Sequence, residues 1–206
     1  MVEEHPIDDM TYVVSLSGGV GSAVAAERAL ERYGDRVKLW FSDVRHEDED
    51  LYRFMQDTAK RWWQIYGARL YIHRNTRNPL VVAEQKVIIP NERRAPCSHE
   101  LKIVPFRRYI AELPKPLTVM LGMDWKEQHR LEAPRKAYEA LGYHVDYPLM
   151  WKPWELRSYQ DVIREEWGIE PPRLYAMGFP HNNCFAGETR FLTTLGPRRL
   201  DEMVGK

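Results

Sequence analysis

The chain has 206 residues, 44% hydrophobic and 29% charged, which is the composition of an ordinary globular domain with enough apolar residues for one sizeable core. Thirty Lys and Arg balance thirty Asp and Glu, which excludes a global field that recruits nucleic acid or a membrane and leaves local basic patches such as Arg93 and Arg94. No apolar run approaches the ~18 residues of a membrane span, and the acidic start carries no basic-then-apolar signal, so the expected compartment is the cytoplasm.

The first element is Thr11–Leu16 (Thr-Tyr-Val-Val-Ser-Leu), short, β-branched and followed at once by a glycine turn, the pattern of a buried strand. Val20, Ala23, Val24, Leu30 and Tyr33 then recur at helical spacing until Gly34 ends the pattern as a C-terminal cap. Residues 37–41 read as a second strand. Residues 50–66 read as an amphipathic helix with Leu51, Met55, Thr58, Trp62 and Ile65 on one face, and Gly67 closes it before a third strand at 70–73. Further on come a helix at 101–113, a strand at Leu117–Leu121, a helix at 131–141 capped by Gly142, and a last clear helix at Tyr159–Trp167. Pro171, Pro172 and Pro180 mark an irregular stretch before Cys184, and there is no internal repeat. Strands alternating with helices of this length predict an α/β fold: a doubly wound, mostly parallel sheet with helices on both faces.

Between the first strand and its helix lies Ser17-Gly18-Gly19-Val20-Gly21-Ser22. Open α/β sheets bind ligands at the carboxyl ends of their strands. Glycines at 18, 19 and 21 let the backbone turn sharply and approach a phosphate, while the amides and dipole at the helix start attract negative charge. Ser17 and Ser22 add hydroxyl donors. The plain alternative is a glycine turn with a serine cap. The loop has neither the lysine of a Walker motif nor the glycine spacing of a dinucleotide fingerprint.

The loop does resemble the PP-loop, Ser-Gly-Gly-x-x-Ser, of adenine-nucleotide α-hydrolase enzymes, a superfamily that includes phosphoadenosine phosphosulfate reductases and ATP pyrophosphatases. The resemblance implies that Ser17, Gly18, Gly19, Gly21 and Ser22 hold the phosphate or sulfate end of ATP or phosphoadenosine phosphosulfate. Many ATP-cleaving members carry Asp where this chain has Gly21, a departure that bears on cleavage more than on binding.

The likeness to the phosphoadenosine phosphosulfate reductase family extends over most of residues 11–183. Phe41-Ser42-Asp43, followed by Glu47 and Leu51-Tyr52-Arg53-Phe54, looks like the family's second strand and next helix, which makes Asp43 a candidate nucleotide or magnesium contact; the alternative is a local cap. Cys97-Ser98-His99-Glu100-Leu101-Lys102 with Pro105 is similar to the family's Cys-Cys-x-x-x-Lys-x-x-Pro segment, with Ser98 in place of the second cysteine. That match places Lys102 near substrate sulfate or phosphate, against the alternative of a solvated lysine. Gly122 through Arg130 resembles Gly-x-x-x-x-Glu-x-x-Arg, so Arg130 would clamp a phosphate and Glu127 orient it, against the alternative of a surface salt bridge. Pro148, Leu149, Trp154, Ile169, Pro172, Leu174, Tyr175, Gly178 and Phe179 match the closing segment, which ends in a loop with cysteine.

Two cysteines far apart, Cys97 and Cys184, with no secretory signal argue against a structural disulfide and leave reactive, metal-binding or inert thiols. In iron–sulfur members of the resembled family such cysteines converge on a cluster. Cys97, the Cys184 position and His99 or His181 would do so here, for an iron–sulfur cluster or zinc.

From Cys184 onward the text changes. Cys184-Phe185-Ala186-Gly187-Glu188-Thr189, a β-like run at Phe191, Leu192 and Thr193, and a glycine turn leading to Leu200 and Glu202 resemble the opening block of an intein; the alternative is an ordinary strand and turn. The resemblance implies that the Cys184 thiol attacks the Asn183 carbonyl carbon, turning the Asn183–Cys184 peptide bond into a thioester. It also implies two domains, a nucleotide-binding domain at 1–183 and an intein segment at 184–206, and a complementary C-terminal intein fragment as partner. Either a continuous intein proceeds beyond Lys206 or this is the upstream half of a split one. Three readings follow: an enzyme that reduces a sulfonucleotide, transfers sulfur or adenylates a substrate; a precursor whose own activity is splicing; and a nucleotide-binding module without chemistry.

Overall fold

The computed structural model describes residues 9–87, 96–152 and 157–178, and the backbone of 190–193 and 196–199. In chain order the elements are β1 (Thr11–Leu16), α1 (Val20–Tyr33), β2 (Val37–Asp43), α2 (Glu49–Tyr66), β3 (Leu70–Arg74) and α3 (Pro79–Lys86). There follow α4 (Pro96–Ser98), a wide π turn (His99–Ile103), α5 (Val104–Ala111), β4 (Leu117–Leu121), α6 (Gln128–Glu139) and β5 (His144–Asp146). The last are α7 (Tyr159–Trp167), α8 (Arg173–Ala176), β6 (Arg190–Thr193) and β7 (Gly196–Arg199).

Five strands form one sheet in the order β3-β2-β1-β4-β5, with every pairing parallel. β1 is central, with Val14 opposite Leu39 on one side and Met120 on the other. Because successive side chains point to opposite faces, Val14, Leu16, Leu39, Phe41 and Met120 pack with α1, α2 and α7. Val13, Trp40, Leu117 and Val119 pack with Phe106 and Ile110 of α5 and Tyr138 of α6. Helices therefore cover both faces, and the near-continuous apolar run of β1 is what a strand buried on both sides requires. No helix among the described residues is long and apolar enough to cross a membrane.

The boundaries differ from expectation at identifiable places. α2 starts at Glu49 behind Asp48, whose side chain accepts from the Asp50 N–H. Its buried stripe is Leu51, Phe54, Met55, Thr58 and Trp62, while Ile65 is 52% exposed; in the last turn Tyr66 packs inward instead, its hydroxyl bonded to Glu27. The expected helix at 101–113 is a π turn leading into α5, and α6 begins at Gln128, earlier than the periodicity suggests. β5, α3 and α8 were not expected.

β6 and β7 form a separate two-stranded antiparallel sheet, Thr193 facing Gly196 and Arg190 facing Arg199. Asn183, Cys184, His181, Trp154, Arg93 and Arg94 lie outside the described residues.

Candidate phosphate-binding site

The loop leaves the carboxyl end of β1 at Ser17 and enters α1 at Val20, with Gly19 as an extended N-cap that offers no side-chain acceptor. The first turn of α1 contains no acidic residue, so the positive end of a 14-residue helix is not offset locally. Gly18 sits at φ +85°, where L side chains are strained, and a Cβ there would stand 2.9 Å from Leu51 Cδ1. Both serines are tied into the loop. The Ser22 hydroxyl donates to the Gly19 carbonyl at 2.8 Å and accepts from the Ser17 N–H at 3.2 Å, and the Ser17 and Ser22 oxygens are 3.1 Å apart. The two serines expected to add hydroxyl donors also brace the loop backbone.

Two contacts on the loop come from far along the chain. Gly122, just past β4, approaches so closely that a Cβ there would lie 2.7 Å from Ser22 Cα. The Tyr175 hydroxyl of α8 accepts from the Val20 N–H at 3.3 Å. Both residues stand in segments that the sequence likeness covers, but nothing in their spacing showed that they touch the loop. A Cβ at Gly21 would make only ordinary contact, 3.5 Å from Leu149 Cδ1, so packing does not exclude the Asp found there in many ATP-cleaving enzymes of the resembled superfamily.

Asp43 ends β2 at the same sheet edge, two residues beyond Phe41, the partner of Leu16. Its carboxylate accepts from the Arg45 N–H at 2.7 Å and the Tyr52 hydroxyl at 2.9 Å, and Arg74 lies 3.7 Å away. Burial, followed by that hydrogen bond, pushes the Tyr52 phenol up to about 12. Lys102 lies within the π turn, one residue before its end, and pairs with Glu47 at 3.0 Å. The turn is pinned by the Leu101 carbonyl, which accepts from Ser42 Oγ at 2.5 Å and Asn75 Nδ2 at 2.9 Å, both buried.

Glu127 and Arg130 form an i,i+3 ion pair at 2.5 Å, with the arginine side chain 58% exposed. This geometry is that of a surface salt bridge, and it turns the Arg130 charge toward Glu127. Cys97 is half-buried against Val44, Val82 and Leu101, and His99 is exposed. Among the described residues no three His, Cys, Asp or Glu side chains converge as metal ligands; Cys184 and His181, named with Cys97 and His99 for the expected iron–sulfur or zinc centre, lie outside the described residues. Two clefts of about 470 and 600 Å³ flank β3, the first reaching Asp43, Tyr52 and Arg74.

The sequence matches no family profile. Nor does it match a curated protein. The structure is similar to the crystal structure of phosphoadenylyl-sulfate (PAPS) reductase from Candida auris in its phosphate complex, with a TM-score of 0.55 and 14% identity over 87% of this chain and 83% of that one. The fold is PAPS reductase-like. At this identity the likeness concerns architecture, and within it the loop, Asp43 and Lys102 gather along the carboxyl edge of β1 and β2.

Proposed function

We propose that this chain is a nucleotide-binding enzyme that holds the phosphate or sulfate end of an adenine nucleotide against residues 17–22. The observation that carries the reading is a glycine loop between the central strand and a long helix whose first turn lacks acid. Support comes from the likeness to a PAPS reductase structure solved as a phosphate complex. The amides at the start of α1 donate to the anion. Lys102 and Arg130, each held by one carboxylate, Glu47 and Glu127, are the cations that substrate phosphate can recruit. Asp43 and the cleft beside it lie toward the nucleoside end. Gly21 favours sulfonucleotide reduction or sulfur transfer over ATP-dependent adenylation, since a side chain fits there and none is present.

Calorimetry with ATP and with phosphoadenosine phosphosulfate tests this reading. Gly19→Val, checked for folding by circular dichroism, places branched bulk on the loop and resists the close approach of an anion. Both ligands should bind the natural chain and lose at least about tenfold in affinity on substitution, equivalent to about 1.4 kcal/mol. Unchanged affinities in the variant would falsify the assignment.

A second reading concerns the chain after residue 183. We propose that Asn183–Cys184 is a splice junction, a reading supported by the intein-like text from Cys184 and by β6 and β7, which among the described residues pair with each other and not with the main sheet. In the first step the Cys184 Sγ–H adds to the Asn183 carbonyl carbon, the C–N bond breaks, the proton passes to the released Cys184 amine, and a thioester remains.

A further inference from the structure

Tyr175 reaches the loop across 155 positions of sequence. Its hydroxyl takes the Val20 amide, one of the free donors at the start of α1, and a Cβ on Gly19 would stand only 2.9 Å from the same oxygen. The phenol end thus rests on the backbone where an anion would lie. Burial pushes the Tyr175 phenol up from its ordinary value, so it stays a neutral hydroxyl at neutral pH.

α8, which carries Tyr175, is four residues long, far below the length at which a helix holds itself. It is fixed from outside by the acidic first turn of α2. The Arg173 N–H donates to Asp50 Oδ2 at 2.7 Å, and its guanidinium reaches Asp48 Oδ2 at 2.8 Å. Arg53 donates to the carbonyls of Glu170 at 2.9 Å and Pro171 at 3.4 Å while also pairing with Asp50. Asp48 therefore caps α2 with one oxygen and anchors α8 with the other. These contacts are largely at the surface, where ion pairs are individually weak and readily released.

We infer that Tyr175 is a gate on the phosphate loop: its hydroxyl holds the Val20 amide until the anionic end of a nucleotide displaces it, and the contacts of Arg173 with Asp48 and Asp50 set how readily the gate opens. The gate rests on the reading of residues 17–22 as the nucleotide site. A site competent only when open shows an affinity reduced by the open fraction, so weakening the closed form tightens binding.

Tyr175→Phe keeps the ring and removes the hydroxyl. Losing one net hydrogen bond from the closed form should tighten ATP binding to the full chain by about fivefold in calorimetry. Arg173→Ala, which removes the guanidinium anchor and leaves the hydroxyl, should tighten it by a smaller factor. Unchanged or weaker binding in Tyr175→Phe overturns the gate, weaker binding identifying the hydroxyl as a ligand contact. If the natural chain binds ATP, Gly19→Val does not and Tyr175→Phe matches the natural chain, only the gate fails. Binding by Tyr175→Phe with none by the natural chain supports the gate, and binding by neither removes the loop reading and the gate together.

Discussion

Among the glycines whose surroundings are described, Gly122 is where a single hydrogen in place of a methyl matters most. A Cβ there would meet Ser22 Cα at 2.7 Å and Ser22 N at 3.0 Å, both backbone atoms at the start of α1 that cannot rotate away. At Gly18 the clashing atoms belong to the Leu51 side chain, which can shift, although the backbone at φ +85° still favours glycine. Gly122→Ala should therefore force α1 and the end of β4 apart, destabilising the protein by about 1–3 kcal/mol and weakening ATP binding. Urea unfolding and calorimetry read the two effects, and an unchanged midpoint with unchanged affinity would show that the close approach is unimportant. The sequence displayed Gly122 inside a pattern but could not display its reason, because β1–β4 pairing brings it to a residue one hundred positions earlier. The same holds for charge. Asp43 and Lys102 were quoted from the sequence as candidates, whereas the pairing of Lys102 with Glu47 depends on how the π turn folds back on β2, and that of Asp43 with Tyr52 on how α2 follows β2.

At the scale of elements, α1 and α2 are joined by one buried carboxylate. Glu27, 4% exposed, accepts from Arg61 Nη2 at 2.8 Å, Trp62 Nε1 at 2.8 Å and the Tyr66 hydroxyl at 3.1 Å. Burial and the Glu27 charge together hold the Tyr66 phenol well above its ordinary range. Glu27→Gln keeps the shape but removes the charge that faces the Arg61 guanidinium and exchanges one of two acceptors for a donor, and charged hydrogen bonds of this kind contribute about 1.5–3 kcal/mol. The urea midpoint should fall accordingly with an unchanged slope; a midpoint equal to that of the natural chain would show that solvent replaces the brace. Strong periodicity made β1, α1, α2, β4 and α7 readable, since each buries an uninterrupted stripe. α3 was missed although Asn78 caps the Val81 N–H and Pro79 fills the first helical position, a start signal that needed no periodicity. β5 and α8, of three and four residues, are too short to show any period.

Across the whole molecule, the alternation of strands and helices fixed the class, but the order β3-β2-β1-β4-β5 came from pairing that local patterns do not encode. That order puts the first strand in the middle, with the chain winding outward from it to either side, so the β1 loop opens at the point where the winding reverses, the usual ligand crevice of such sheets. The main sheet and its helices are made from residues within 11–176, while β6 and β7 bond only to each other among the described residues. On the proposed splice junction, removal of the segment that carries β6 and β7 breaks no described pairing of the main sheet. With the complementary intein segment supplied and dithiothreitol present, the chain should either join residues 1–183 to the downstream host segment or release them by thiolysis, because a thioester yields to a thiol where an amide does not. Cys184→Ala removes the only thiol that can form that thioester and should stop both outcomes, while ATP binding at residues 17–22 persists. Intact-mass spectrometry distinguishes the products, and a complemented chain that stays whole, or an alanine variant that reacts equally well, rules out the junction.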